Sequence, residues 1–341
     1  MTDIRRVIVT AIDDIRLEAT PAPAAGAGEV VVRSTVVGIC GSDMHAAHGR
    51  HPFMSLPFWP GHEVVGVVTE TGKGVDASLH GRRVVIEPNL ACGHCEQCRD
   101  GRYNICSTLD VFGCQTPGGM TDAFAIAADR VIPLPDDLDD TWAALIEPLA
   151  TPVHAVRRAG DLTGKRVVVF GAGPIGLFLT VAALDAGAER VVVADLLPSK
   201  RERAERLGAA GSFDPTTADA ADTALELLGG QAHVVFDGVS RATTVALAVE
   251  ILAKGGKLMT VGVPVSGETA VRLDLVQDHE LEIYGNLMYV REDVLHAIAL
   301  LGRKPFSLDE IVTAIFPLDE AARAFAASDD PEQVKVLVTV P

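Results

Sequence analysis

Residues 166–176 read RVVVFGAGPIG, a β-branched run that stops at three glycines in the order G-x-G-x-x-G. A strand, a glycine turn and an apolar helix open a dinucleotide-binding βαβ unit. In such a unit Gly171 permits the tight turn, Gly173 lets backbone approach a pyrophosphate, and Gly176 lets helix and strand pack closely. The pyrophosphate would lie on the helix N-terminus. Alone, the pattern is weak; an acid at the end of the second strand strengthens it. Asp195 directly follows RVVVA, nineteen positions after Gly176, where it can hydrogen-bond the adenosine ribose. A carboxylate there repels a 2′-phosphate, so NAD is favoured over NADP, and Lys200 and Arg201 stand close enough in sequence to soften that preference.

From Gly164 onward strands and helices alternate. RVVVAD precedes PSKRERAERLG, HVVFDG precedes ATTVALAVEILAKGG, and KLMTVGVP and LEIYGN follow. This rhythm predicts a parallel sheet covered by helices. The first half instead shows short strands closed by Gly or Pro: EVVVRSTVVGI, GHEVVGVVTETG and GRRVVIEP. The last stretch, DEAARAFAASDDPEQVKVLVTV, offers a helix and a strand that attach to neither neighbour by sequence alone. Val167 to Leu184 is eighteen residues without a charge, the lower limit for a membrane span. Gly171, Gly173, Pro174 and Gly176 interrupt it, so strand, turn and helix explain it better.

A chain of 341 residues, 48% of them apolar, suits two domains with sizeable cores. The net charge of −17, spread along the chain, argues against nucleic-acid backbones and anionic membranes. Small molecules and further copies of the chain are the expected partners. The N-terminus, MTDIRRVIVTAIDDIRLEA, carries acids where a signal peptide needs an apolar stretch, which predicts a cytoplasmic, reducing location and disfavours disulfides.

Four of the six cysteines fall in residues 92–106, CGHCEQCRDGRYNIC. Thiolates at Cys92, Cys95, Cys98 and Cys106 can surround Zn²⁺ tetrahedrally and leave no position for water or substrate, so such a site is structural. An iron–sulfur cluster takes the same ligands, but nothing else in the chain suggests electron transfer. His94, inside the loop, reads as a surface residue. A second constellation is spread out: GICGSDMH supplies Cys40, Ser42, Asp43 and His45, and PGHEVVG supplies His62 and Glu63. One thiolate, one imidazole and one carboxylate leave a coordination position open, the arrangement of catalytic zinc. Glu147, in IEPLATPVHA, is a further candidate carboxylate or simply a helix-capping or surface acid. Cys114 is left over and reads as a buried thiol without a metal role.

Across essentially its whole length the chain resembles the zinc-containing medium-chain dehydrogenase/reductase family. The matching stretches are ICGSDMH, PGHEVVG, CGHCEQCRDGRYNIC, EPL and VVVFGAGPIG, in the family's order and spacing. The resemblance implies an α/β protein in which a GroES-like β-rich catalytic domain, residues 1–150 completed by 291–341, packs on a Rossmann NAD-binding domain, residues 151–290. The active site then lies in the cleft, and the orphan final helix and strand belong to the first domain. The resemblance makes Cys40, His62 and either Glu63 or Glu147 the catalytic zinc ligands, with a second, structural zinc on the four cysteines. Asp43 would orient His62, Ser42 would hydrogen-bond the substrate hydroxyl, and His45 would pass the proton to solvent. Gly171, Gly173, Pro174, Ile175 and Gly176 would hold the cofactor, with Asp195, Lys200, Val261 and Val263.

The GHE and EPL forms are similar to the sorbitol and polyol branch and to the threonine dehydrogenase branch. In GNLMYVRED, Met288 stands where sorbitol dehydrogenases carry an arginine, while Tyr289 fits, and the segment looks closer to butanediol-type and sugar-acid dehydrogenases. The expected activity is oxidation of a secondary alcohol of a polyol or sugar-derived substrate, with Ser42, His48 and Arg50 suited to a hydroxyl-rich molecule. A vicinal diol is the second expectation and L-threonine the third. A non-enzymatic NAD-binding sensor or structural protein, or a zinc-independent quinone reductase, would have no reason to keep Cys40, Ser42, Asp43, His45 and His62. The family resemblance also suggests a homodimer or homotetramer, paired through the sheet edge near Leu281 to Gly285.

Overall fold

Twice the chain passes between two units, at Pro148/Leu149 and again at Tyr289/Val290. The computed structural model describes residues 3–264 and 267–341. One unit comprises Met1–Pro148 and Val290–Pro341, the other Leu149–Tyr289.

In the first unit the valine-rich strand Glu29–Gly38 is the organising element. It pairs antiparallel with Glu63–Thr71, with Ala123–Ala127 and with the C-terminal strand Lys335–Thr339. The sheet continues outward through Val312–Pro317 on one side and through Arg83–Ile86 and Val131–Pro133 on the other. Val30, Val32 and Val37, with Val64, Val68, Val84 and Phe325, fill a buried core. The orphan final strand thus finds its partner more than 290 positions upstream: Leu337 lies opposite Gly38, and Gly38 lies opposite Glu63. The missing side chain at Gly38 is what lets these neighbours communicate. A Cβ there would stand 1.9 Å from Glu63 Oε2, so the Glu63 side chain lies across the glycine toward the C-terminal strand.

The second unit holds a six-stranded sheet, every pairing parallel, in the order Gly211–Phe213, Arg190–Ala194, Arg166–Phe170, Ala232–Asp237, Leu252–Thr260, Glu282–Gly285. Strands buried on both faces read as continuous hydrophobic runs, which is why RVVVF and RVVVA show no alternation. Chain order reverses between Arg166–Phe170 and Ala232–Asp237, the switch point outside which ligands bind in open α/β sheets.

Two elements differ from the sequence reading. A hairpin, Asp3–Ala11 with Asp14–Pro21, precedes the predicted strands. The helix expected to run through AKGG ends at Ile251, and strand Leu252–Thr260 begins there, because Gly255 takes φ +73° and the glycine pair cannot sustain a helix. Among the described residues, no helix is long and apolar enough to cross a membrane.

Candidate active site and metal centres

The ligand atoms of Cys92, Cys95, Cys98 and Cys106 all lie within 4.8 Å of one another. The Cys92–Cys98 and Cys95–Cys106 sulfurs are each 3.9 Å apart. A tetrahedron with arms of about 2.3 Å has edges of about 3.8 Å, so the thiols already have the spacing of a zinc cage. Glycines at 93 and 101, both with φ +75°, turn the loop around this centre. Backbone N–H groups of Cys95 and Cys92 donate to Cys92 Sγ and Cys106 Sγ, each at 3.3 Å. N–H donation by Ser107 and Cys98 pulls Cys95 down to about 5, while desolvation and the bond to Cys95 push Cys98 up to about 12. His94 is exposed, its Nδ1 2.8 Å from Cys92 O, and it stands outside the ligand group.

The second group, Cys40, His62 and Glu63, likewise has its ligand atoms within 4.8 Å of one another. Cys40 is the N-cap of helix Gly41–Ala47, and Asp43 Oδ2 accepts its backbone N–H at 3.0 Å. His62 and Glu63 sit where the strand Glu63–Thr71 begins. Asp43 is fully buried; its Oδ1 lies 3.7 Å from His62 Nδ1 and has no hydrogen-bond partner. That distance places its charge beside the ring without a direct bond. Burial alone would lower the His62 pKa, but Asp43, Cys114 and Cys40 hold it well above the usual histidine value. The pocket is thus strongly electronegative, and its donors (one S, one N, carboxylate O) match zinc with a position to spare.

One residue here escaped sequence reasoning. Lys335 is buried, and its Nζ meets both Glu63 carboxylate oxygens at 2.7 and 2.8 Å and Ile39 O at 3.1 Å. Burial would lower the lysine pKa, yet Glu63 and Cys40 keep it raised. A carboxylate has about four lone-pair sites, so the ion pair leaves Glu63 capacity for a metal. A lone lysine inside the apolar run VKVLVTV was the available signal. Cys114 is half-buried rather than buried, and its Sγ is 3.9 Å from His62 Nδ1, so it contacts the ligand set without joining it.

Other predicted residues are placed as follows. Glu147 is buried at the start of helix Ile146–Ala159, outside the three-ligand group, and its charge reaches Lys335. Ser42 is half-buried and His45 exposed on the Cys40 helix; desolvation, Arg50 and His48 lower the His45 pKa. His48 is not a free polar handle. Its Nδ1 is 2.7 Å from Asp13 and its Nε2 2.8 Å from Asp329, so both ring nitrogens are spent on a clamp between distant segments. Arg50 is exposed, Met288 takes φ 47°, and Tyr289 is fully buried.

In the second unit Gly171 has φ +91°, and a Cβ on Gly176 would stand 1.7 Å from Gly171 O, while at Gly173 nothing lies within 4 Å. Turn, close packing and open approach thus fall on the three glycines in that division of labour. Gly173 caps helix Pro174–Asp185, with Pro174 in its first turn and Ile175 next. Asp195 ties the turn together: Oδ2 accepts the Ala172 N–H at 2.7 Å and Oδ1 the Leu197 N–H at 2.9 Å. Arg201 donates to the Asp195 and Leu196 carbonyls at 2.7 and 3.1 Å. Lys200 and Val261 are half-buried, and Val263 is exposed.

Residues 26–136 match the alcohol dehydrogenase GroES-like domain, and residues 174–303 match the zinc-binding dehydrogenase domain. Sorbitol dehydrogenase of Gallus gallus is 35% identical over 97% of this chain and 95% of its own. Two solved structures superpose closely. A zinc-binding dehydrogenase from Sinorhizobium meliloti 1021 bound to NADP has TM-score 0.93 at 29% identity, covering 99% of this chain and all of that one. The 2R,3R-butanediol dehydrogenase of Bacillus subtilis has TM-score 0.91 at 29% identity, covering 98% and 99%.

Proposed function

Because the chain belongs to the zinc-containing medium-chain alcohol dehydrogenase family, we propose that it interconverts a secondary alcohol of a polyol or sugar-derived substrate with its ketone, using NAD. The observation that carries this reading is the three-donor group of half-buried Cys40 with buried His62 and Glu63, which keeps a metal position open. Cys40, His62 and Glu63 would hold the zinc, which would supply Lewis acidity toward an alcohol hydroxyl, and a dinucleotide on the glycine turn would supply the hydride acceptor.

The chain's own residues do the rest. Asp43 sets negative charge 3.7 Å from His62 Nδ1 and fixes the Cys40 backbone, so two ligands are steadied by one side chain. The Ser42 hydroxyl receives the substrate proton, and exposed His45, one turn further along the helix, hands it to solvent. The glycine turn and Asp195 hold the dinucleotide. Asp195 supports NAD, because a carboxylate at the end of the second strand repels a 2′-phosphate, and Arg201 is already engaged by two carbonyls.

The sorbitol dehydrogenase relative supports the polyol reading; the butanediol dehydrogenase neighbour supports a vicinal diol as the second. We read the enzyme as a cytoplasmic homodimer or homotetramer. Edge strand Glu282–Gly285, with exposed Ile283, supports pairing there. The test is metal analysis with a panel of polyols, diols and aldonic acids under NAD and NADP. Two zincs per chain and NADH formation with a polyol are expected; a metal-free protein with full turnover overturns the reading.

A further inference from the structure

The proposed reaction leaves several buried carboxylates unused, Glu87 among them. Glu87 is fully buried, and its Oε2 has no hydrogen-bond partner. Two guanidinium nitrogens face that oxygen at longer range, Arg130 Nη1 at 3.7 Å and Arg291 Nη1 at 3.8 Å. Oε1 accepts the Tyr103 hydroxyl at 2.5 Å. Tyr103 belongs to the four-cysteine loop, in the short turn Tyr103–Ile105 just ahead of Cys106.

The same hydroxyl oxygen accepts the backbone N–H of Arg291 at 2.5 Å. That N–H opens helix Arg291–Gly302, and the first N–H groups of a helix have no acceptor within it. Asp293 Oδ2 takes the preceding one, from Val290, at 2.9 Å. The Arg291 side chain adds bonds to the Asp129 and Val131 carbonyls at 2.8 and 3.2 Å. Val290 is where the chain re-enters the first unit. One phenol therefore joins the loop to the start of that returning segment, donating to Glu87 and accepting from Arg291.

We infer that Tyr103 is a positioning residue through which the metal state of the four-cysteine loop sets the order of residues 290–293, where the chain returns from the second unit. The inference rests on the loop binding metal. Loss of metal frees the segment between Cys98 and Cys106, the phenol leaves, and both a buried carboxylate oxygen and a helix-start N–H lose their partner.

The test is hydrogen exchange of peptides covering 286–296 in the full-length, zinc-loaded enzyme, with zinc content measured on the same samples. Tyr103→Phe should keep wild-type zinc while exchange at 290–294 quickens about tenfold. Cys98→Ser, or wild-type protein stripped of loop zinc by a chelator, should quicken the same amides, and adding Tyr103→Phe should bring no further change. Glu87→Gln, which keeps an acceptor for the phenol, should stay close to wild type. Unchanged exchange in Tyr103→Phe overturns the inference, as does loss of loop zinc with full protection at 290–294. Zinc loss in Tyr103→Phe also overturns it, since Tyr103 would then hold the loop rather than transmit from it. Wild-type thiols that hold no metal overturn the metal reading beneath it, and that case is told apart because the Tyr103→Phe effect on exchange would survive.

Discussion

The four thiols at 92–106 come from fifteen consecutive residues and three of them are partly exposed, whereas Cys40, His62 and Glu63 come from two separate segments and two of the three are buried. Both groups concentrate negative charge. The loop answers its own charge with a saturating ion, so its chemistry ends with binding. The buried group is answered from several sides: Lys335 lies on Glu63, His62 stands between Asp43 and Cys114, and a metal with an open position completes the balance. A closed shell of ligands makes a clamp, and an incomplete one inside a charged pocket makes a reaction centre.

The sharpest way to break this comparison is to remove one ligand from each. Cys40→Ser should lower kcat about 10³-fold or more, because Lewis-acid stabilisation is worth several kcal/mol, while the protein stays folded and still binds NADH. Cys98→Ser should leave turnover per folded molecule far less affected and lower the melting temperature. Zinc analysis, steady-state kinetics and thermal unfolding on both variants decide it. Equal loss of activity in both would show that the two sites are one functional unit.

Lys335 tests how the buried charge is balanced. In metal-free protein Lys335→Met leaves Glu63 as an uncompensated buried carboxylate, which costs about 3–5 kcal/mol, whereas Lys335→Arg should recover most of it. Chemical denaturation measures the loss. Metal affinity at Cys40 should not fall, because an unpaired Glu63 gains more from the ion. A drop in affinity without a drop in stability would make Lys335 a guide for Glu63 instead of its counter-charge.

These partners show where sequence reading stops. The cysteine loop was legible because a zinc cage needs short spacing, and the glycine turn because its geometry, φ +91° at Gly171 and the 1.7 Å approach at Gly176, admits only glycine. Cys40, Asp43, His62 and Glu63 could be picked out from two glycine-flanked clusters. Lys335 reaches Glu63 across 272 positions, Arg291 reaches Tyr103 across 188 and Asp329 reaches His48 across 281. Such pairs are created by strand order and by the chain's return to the first unit, and no local pattern encodes them. His48 illustrates the cost: as a polar loop residue it suggested substrate binding, and tertiary pairing had already claimed it.

Asp43 offers a smaller effect. Asp43→Asn keeps an oxygen to accept the Cys40 N–H but removes the charge beside His62. Metal affinity at the Cys40 site should fall about 10- to 100-fold, the usual cost of losing a partner of a ligand, with the four-cysteine site unaffected. Competition with a chromophoric chelator reads both sites separately. A uniform loss at both would point to general loosening of the unit.

The smallest effect comes from a cluster that uses a proton where the other two use a metal. His48 lies between the Asp13 and Asp329 carboxylates, with Arg50 and His45 as the nearby positive or titratable groups. The bond to Asp329 raises its pKa, desolvation opposes this, and Asp13 adds to the rise. A pKa raised in the folded state contributes stability fully below the unfolded value, about 6.5, and loses it as pH climbs through the folded value. Both carboxylates are more than half exposed, at 65% and 52%, so screening holds the contribution to about 1 kcal/mol or less. His48→Gln should therefore melt about 2–4 °C below wild type at pH 6, and the gap should close as pH rises past the folded pKa. A gap of the same size at every pH would mean that neutral hydrogen bonds hold the clamp. The proton would then not be its counter-ion, and the parallel with the metal sites would fail at this third cluster.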